Sequence, residues 1–118
     1  MGGQKALITA LREFIKKIEK KIKVEQVILF GSHARGNARR TSDIDIIIVS
    51  PDFANIKSFK RAPQLYLIWD QPYDIDIICL TPQELQKKQH EIGVIRDALS
   101  DGVLLSAAGV RRIKAVVE

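Results

Sequence analysis

Two isoleucine-rich runs, each opening on a pair of aspartates, constrain this chain more than any other feature. Residues 42–49 read Ser-Asp-Ile-Asp-Ile-Ile-Ile-Val, and residues 74–80 read Asp-Ile-Asp-Ile-Ile-Cys-Leu. Nearly continuous apolar, β-branched character over six to seven residues predicts a strand covered on both faces. A 118-residue chain has room for one domain with one real core around such strands. The expectation is a single domain over residues 1–118, with its core at about 5–105 and a C-terminal tail at 106–118.

The rest of the chain supplies covering elements. Leu7, Leu11, Phe14, Ile15, Ile18 and Ile22 follow the three-four spacing of one helical face, which predicts an amphipathic helix from Lys5 to about Ile22. Glu13 with Lys17 and Glu19 with Lys23 stand at the i,i+4 spacing that favours ion pairs on it. Val24 to Phe30 reads as a strand ending in a tight turn at Gly31, Asp43 to Val49 as a second, and Tyr73 to Leu80 as a third. Between the last two, a buried helix is expected to start near Ala62, so that Pro63 falls in its first turn. Thr81-Pro82-Gln83-Glu84 carries an N-cap, a proline at the first helical position and a capping-box acid. That helix is expected to run towards Glu91, and another from about Ile92 to Leu99. Val103-Leu104-Leu105 reads as a short edge strand. The order is that of a mixed α/β domain.

Composition excludes several classes. With 46% hydrophobic and 28% charged residues the chain is not a disordered one. No apolar run approaches the roughly 18 residues of a membrane span, and Met-Gly-Gly-Gln-Lys-Ala is no signal peptide. One cysteine, Cys79, allows neither an internal disulfide nor a multi-cysteine zinc site. Secretion, membrane insertion and structural zinc are excluded on these grounds, and a cytoplasmic protein is expected. The formal net charge of +5 suits a polyanionic ligand, either nucleotide or nucleic acid.

Chemistry concentrates in one block: Gly31-Ser32-His33-Ala34-Arg35-Gly36, five residues, then Ser42-Asp43-Ile44-Asp45. Side chains alternate along a strand, so Asp43 and Asp45 share a face about 6.5–7 Å apart. At an effective dielectric near 20 they repel by roughly 2–3 kcal/mol, and something positive should relieve it. Oxygen-only ligands favour hard cations, Mg²⁺ first. Gly31 and Ser32 follow a strand and would open a turn whose free N–H groups can hold phosphate oxygens; Arg35 can add a bidentate contact. No Lys-Ser or Lys-Thr follows Gly36, so the turn is not a Walker-A loop. One member of the Asp74/Asp76 pair, meeting Asp43 and Asp45, would complete a three-carboxylate cluster able to hold two metal ions. Both share one face by parity, so geometry alone does not choose between them; Cys79 falls on the opposite face. His33 and His90 read as surface residues, and Trp69 and Tyr73 as core or rim packing.

Together, Gly31 to Gly36, Ser42 to Val49 and Asp76-Ile77-Ile78-Cys79-Leu80-Thr81-Pro82-Gln83-Glu84 resemble the minimal nucleotidyltransferases of the DNA polymerase beta superfamily. The resemblance extends from Val27 to Leu105, including Ile95-Arg96-Asp97-Ala98-Leu99 and Gly102-Val103-Leu104. It implies a small mixed β-sheet flanked by helices. It also implies metal binding and catalysis by Asp43, Asp45 and, by its spacing to Thr81-Pro82, Asp76. Nucleotide contacts would come from Gly31, Ser32, Arg35, Gly36 and Ser42. The implied reaction transfers a nucleoside monophosphate, AMP from ATP, to an acceptor hydroxyl with two Mg²⁺ ions.

The acceptor is expected to lie outside the chain, because 118 residues leave no room for a domain to hold it. The minimal group implies a small helical HEPN-type partner with this chain as its antitoxin, or else a homo-oligomer. The alternative is a noncatalytic antitoxin or nucleotide-binding module acting by contact alone. A nucleic-acid-binding domain ranks last, because four Phe, two Tyr and one Trp offer few stacking platforms.

Overall fold

The structure, a computed structural model, describes residues 3–39, 42–106 and 109–112, with side chains described for 5–39 and 42–106. In chain order the elements are α1 (Gly3–Glu19), β1 (Gln26–Phe30), α2 (Ser32–Arg35), β2 (Ile44–Val49), a 3-10 turn (Pro51–Asn55), α3 (Ser58–Tyr66), β3 (Ile75–Leu80), α4 (Pro82–Lys88), α5 (Val94–Asp101), β4 (Val103–Ser106) and β5 (Gly109–Arg112). The strands form one mixed sheet in the order β3-β2-β1-β4-β5. β2 and β3 are parallel, and every other neighbouring pair is antiparallel. The small mixed sheet flanked by helices is the fold expected.

The isoleucine run behaves as a doubly covered strand must. Ile44, Ile46, Ile47, Ile48 and Val49 are all 0% exposed, because helices pack on both faces of β2. On one face Ile44, Ile46 and Ile48 join Val27 and Leu29 of β1 and Ile75, Ile77 and Cys79 of β3 under α1, whose Leu7, Leu11, Phe14, Ile15 and Ile18 form the facing stripe. Burying an aliphatic or aromatic side chain of this size contributes about 1.5–3 kcal/mol, so this larger core carries most of the stability. On the other face Ile28, Ile47, Val49 and Leu80 meet Leu85 of α4 and Ala98 and Leu99 of α5. By strand alternation this smaller face also carries Asp43, Asp45, Asp74 and Asp76.

Several elements differ from the sequence expectation. α3 begins at Ser58, four residues before Ala62, and keeps Pro63 inside it. The helix is also less buried than expected: only Arg61 and Leu65 are buried, while Phe59 is 71% exposed. Pro63 removes one backbone donor from a nine-residue helix, and the anchoring of those two side chains outweighs that loss. α1 ends at Glu19, so Lys23 lies beyond it; Lys17 pairs with Asp70 at 2.8 Å rather than with Glu13, which pairs with Lys16 at 3.6 Å. β4 is not an edge strand. The segment read as the start of a tail supplies β5, which pairs with β4 through Val103–Arg112 and Leu105–Val110. The remainder of that tail, residues 107–108 and 113–118, lies outside the described residues. Among the described residues no helix is long and apolar enough to cross a membrane.

Candidate active site

β1 and β2 form an antiparallel ladder in which Phe30 faces Asp45, and β2 and β3 a parallel one in which Asp45 stands beside Asp76. The register therefore brings both acids to one end of one sheet face, with Asp43 two residues before Asp45 on the same side. This is the meeting of the two Asp-x-Asp runs that the sequence left open. Asp45 is half-buried, while Asp43, Asp74 and Asp76 are exposed. Burial first, then the negative charges of Asp76 and Asp43, push the Asp45 carboxyl above its ordinary value of 3.8; His33 and Arg35 pull it back. Asp43 and Asp76 thus act electrically on Asp45. Asp74 is not among the groups that shift it, although its backbone carbonyl accepts the Ile44 N–H at 2.8 Å.

The β1–α2 turn closes the same end. Gly31 has φ 76°, which favours glycine, and a Cβ on it would collide with Oδ2 of Asp45. The turn's backbone is pressed against the central acid, and no side chain fits between them. Gly31 O then accepts the N–H groups of Ala34 and Arg35, both at 3.1 Å, and Ser32 O accepts that of Asn37. The first amides of the turn, those of Ser32 and His33, have no partner within it, as at any helix start. Gly36 ends α2 in the left-handed conformation, with φ 80°. Arg35 is exposed, and its charge reaches Asp45.

Two residues of this loop have their surroundings set by the structure, and one of them, His33, differs from the sequence expectation. The Ser42 hydroxyl accepts the Arg39 N–H at 2.8 Å, which leaves its proton to donate elsewhere, and the Ser42 N–H donates to Arg39 O at 3.0 Å. Ser42 shapes the loop before β2. His33 is not a solvent-facing residue: its ring is half-buried and Nε2 lies 3.1 Å from Ser42 O.

The donor set fits a hard cation. Asp43, Asp45 and Asp76 offer only carboxylate oxygens, their charges crowd one another, and no Cβ at Gly31 intrudes on Oδ2 of Asp45. Among the described residues, no three His, Cys, Asp or Glu side chains already stand in a metal-holding arrangement. The Cys79 thiol, buried on the opposite face, is pushed up to about 12 by burial and is unsuited to nucleophilic work.

Sequence reasoning missed a second charged cluster, centred on Arg61 of α3. Its guanidinium donates to Oε1 and Oε2 of Glu84 at 2.6 and 3.2 Å, to Cys79 O at 3.2 Å and to Ile56 O at 2.8 Å. Glu84 also completes the expected capping box with Thr81, which the sequence did reveal. Nearby, Tyr66 covers the outer edge of β3 by accepting the Ile77 N–H at 2.9 Å. Trp69 packs edge-on against Phe14 with ring centroids 5.0 Å apart and donates to Tyr73 O, a core role as expected.

Comparison with known proteins agrees with this geometry. The profile of the nucleotidyltransferase domain family matches residues 11–73, which include the turn, Asp43 and Asp45. A protein of Methanocaldococcus jannaschii named as a candidate protein adenylyltransferase is 34% identical over 71 residues, covering 58% of this chain and 72% of the relative. A second protein so named from that organism is 32% identical over 91 residues, covering 72% of this chain and 62% of the relative. Among solved structures, a candidate nucleotidyltransferase from Sulfolobus solfataricus superposes with a TM-score of 0.64 at 25% identity, covering 86% of this chain and 80% of that one. The fold, the acid cluster and these relatives place the chain in the nucleotidyltransferase domain family, whose members transfer phosphorus-containing groups from nucleoside triphosphates.

Proposed function

We propose that this chain transfers AMP from ATP to a hydroxyl on a partner protein, working with Mg²⁺. The observation that carries the reading is the contact of the Gly31 backbone with Asp45, beside Asp43 and Asp76. It sets a row of amide donors suited to phosphate oxygens directly against a cluster of carboxylates suited to a divalent cation. Asp43, Asp45 and Asp76 are the residues that would hold two Mg²⁺ ions. Bound there, Mg²⁺ neutralises charge developing on the phosphate oxygens and lowers the pKa of an attacking hydroxyl.

The chain's own groups do the rest. The Ser32 and His33 amides and the Ser32 hydroxyl bind the triphosphate, and Arg35 adds a charge-assisted contact at the β- or γ-phosphate. Gly36 closes the turn along which pyrophosphate leaves, and Ser42 fixes the loop that delivers Asp43. Asp76 accepts the proton of the acceptor hydroxyl. Catalysis then comes mainly from positioning and charge neutralisation.

A protein acceptor follows the naming of the relatives, and a small helical HEPN-type partner, with this chain as antitoxin, follows the minimal group that the motifs resemble. A cytoplasmic setting supplies both ATP and Mg²⁺. The test is incubation with ATP labelled at the α-phosphate, Mg²⁺ and the protein encoded beside it. Label should appear on the partner with wild type and not with Asp45→Asn. Label that appears equally with Asp45→Asn refutes the reading.

A further inference from the structure

We propose that His33 is a positioning residue that ties the phosphate-binding turn to the entry of the acid-bearing strand; the inference rests on the nucleotidyl-transfer reading above. A carbonyl only accepts, so the 3.1 Å contact between His33 Nε2 and Ser42 O requires the proton on Nε2. The bond spans nine residues and closes the loop between α2 and β2 at its base. It adds a side-chain tie further along the loop to the register that the β1–β2 ladder and the Gly31–Asp45 contact set at this end of the sheet. α2 is four residues long and buries no residue, and Arg39 with Ser42 bonds only within the loop. Ser42 directly precedes Asp43, and His33 directly follows Ser32. The ring therefore links the residue beside the first acid to the residue beside the phosphate-binding hydroxyl. A shift of either piece would move phosphate donors relative to carboxylates, and small misplacements of this kind cost rate out of proportion to their size.

Glutamine can present an N–H donor near the position of Nε2, whereas phenylalanine keeps the ring and loses the donor. The experiment compares wild type, His33→Gln and His33→Phe by amide hydrogen exchange over residues 31–45, by melting temperature, and by transfer of AMP in the presence of Mg²⁺. His33→Phe should lose exchange protection around Ser42 to Asp45 and lower kcat about tenfold or more, with a melting temperature close to wild type. His33→Gln should restore both protection and most of kcat. Unchanged exchange and kcat in His33→Phe, or equal losses in both variants, overturn the proposal. Wild type that transfers nothing, with the exchange pattern as described, upholds the tether and refutes the transfer reading instead.

Discussion

The two charged clusters of this protein sit on the same small sheet and are built on opposite principles. Around Arg61 every charge is answered: the guanidinium has carboxylate and carbonyl partners, and Glu84 is held between Arg61 and its own helix cap. The Arg61 hydrogen bond, first of several causes, holds the Glu84 carboxyl below its ordinary value. Around Asp45 three carboxylates crowd together, and burial with the two acidic neighbours drives its carboxyl the other way by more than His33 and Arg35 pull it back. A cluster that satisfies itself serves the fold. On the proposed function, the crowded acidic cluster in its partly buried position serves a ligand that brings positive charge.

The largest expected effect lies at the unsatisfied cluster. Asp45→Asn should lower transfer at least about a hundredfold, the scale of losing a preorganised charge-stabilising group. Asp43→Asn should act in the same direction. Asp76→Asn should abolish transfer while Mg-ATP binding survives, whereas Asp74→Asn should be mild, since Asp74 does not perturb Asp45. Rates and calorimetric binding on the four variants check this, and an inactive Asp74→Asn with an active Asp76→Asn would reverse the assignment.

The satisfied cluster should show the reverse profile. Glu84→Ala leaves the 5% exposed Arg61 without its counter-charge and should cost about 3 kcal/mol, on the order of 10 °C in melting temperature. Transfer per folded molecule should hold. Activity that falls at temperatures where the variant is fully folded would mean that the two clusters are coupled.

A smaller effect is expected at Arg35. Arg35→Ala should weaken ATP binding roughly ten- to a hundredfold, the worth of a charge-assisted contact of about 1.5–3 kcal/mol. AMP binding should change little, because AMP lacks the distal phosphates. Titration calorimetry with both nucleotides separates a phosphate contact from a general loss of loop structure.

The smallest effect is in pH dependence, where the two clusters have opposite signs. Glu84 binds its proton less readily in the folded state than in the unfolded one. Its stabilisation is therefore present above its unfolded value near 4.5 and is lost as pH falls through its lower folded value. Asp45 binds its proton more readily when folded, so its contribution declines as pH rises from about 3.8 through its raised folded value. Denaturant titrations of Glu84→Gln and Asp45→Asn against wild type, between pH 3 and 6, should change the slope in opposite directions.

The same contrast explains what could be read from the sequence. Asp43 and Asp45, the glycine turn and the Thr81–Glu84 cap were legible because each is local: strand parity, a backbone needing positive φ, and a three-residue spacing. The Asp45–Asp76 pairing was legible only in outline, since parity put four acids on one face and strand register chose among them. Arg61 carried no signal, because its partner is 23 residues away and an arginine in a polar helical stretch looks like any solvated one. Pro63 misplaced the start of α3 because a local rule was set against tertiary anchoring. β5 has no strand signal of its own, since its pairing with β4 is what makes it a strand. The role of Tyr66 has no local signal for a related reason: it exists only because β3 is an edge that needs cover.

The central claim, that the Asp45 cluster is a charge site awaiting a cation and a nucleotide, is met most directly by thermal denaturation of wild type and Asp45→Asn. Each is measured in chelator, in ATP with chelator, and in ATP with Mg²⁺. Wild type should melt several degrees higher only with both ATP and Mg²⁺, since ligand at about 100 times its Kd adds roughly 2.7 kcal/mol. Asp45→Asn should melt at or above wild type in chelator, relieved of its repulsion, and should lose the Mg-ATP increment. An Asp45→Asn variant that melts lower than wild type in chelator and keeps the full increment would contradict the account.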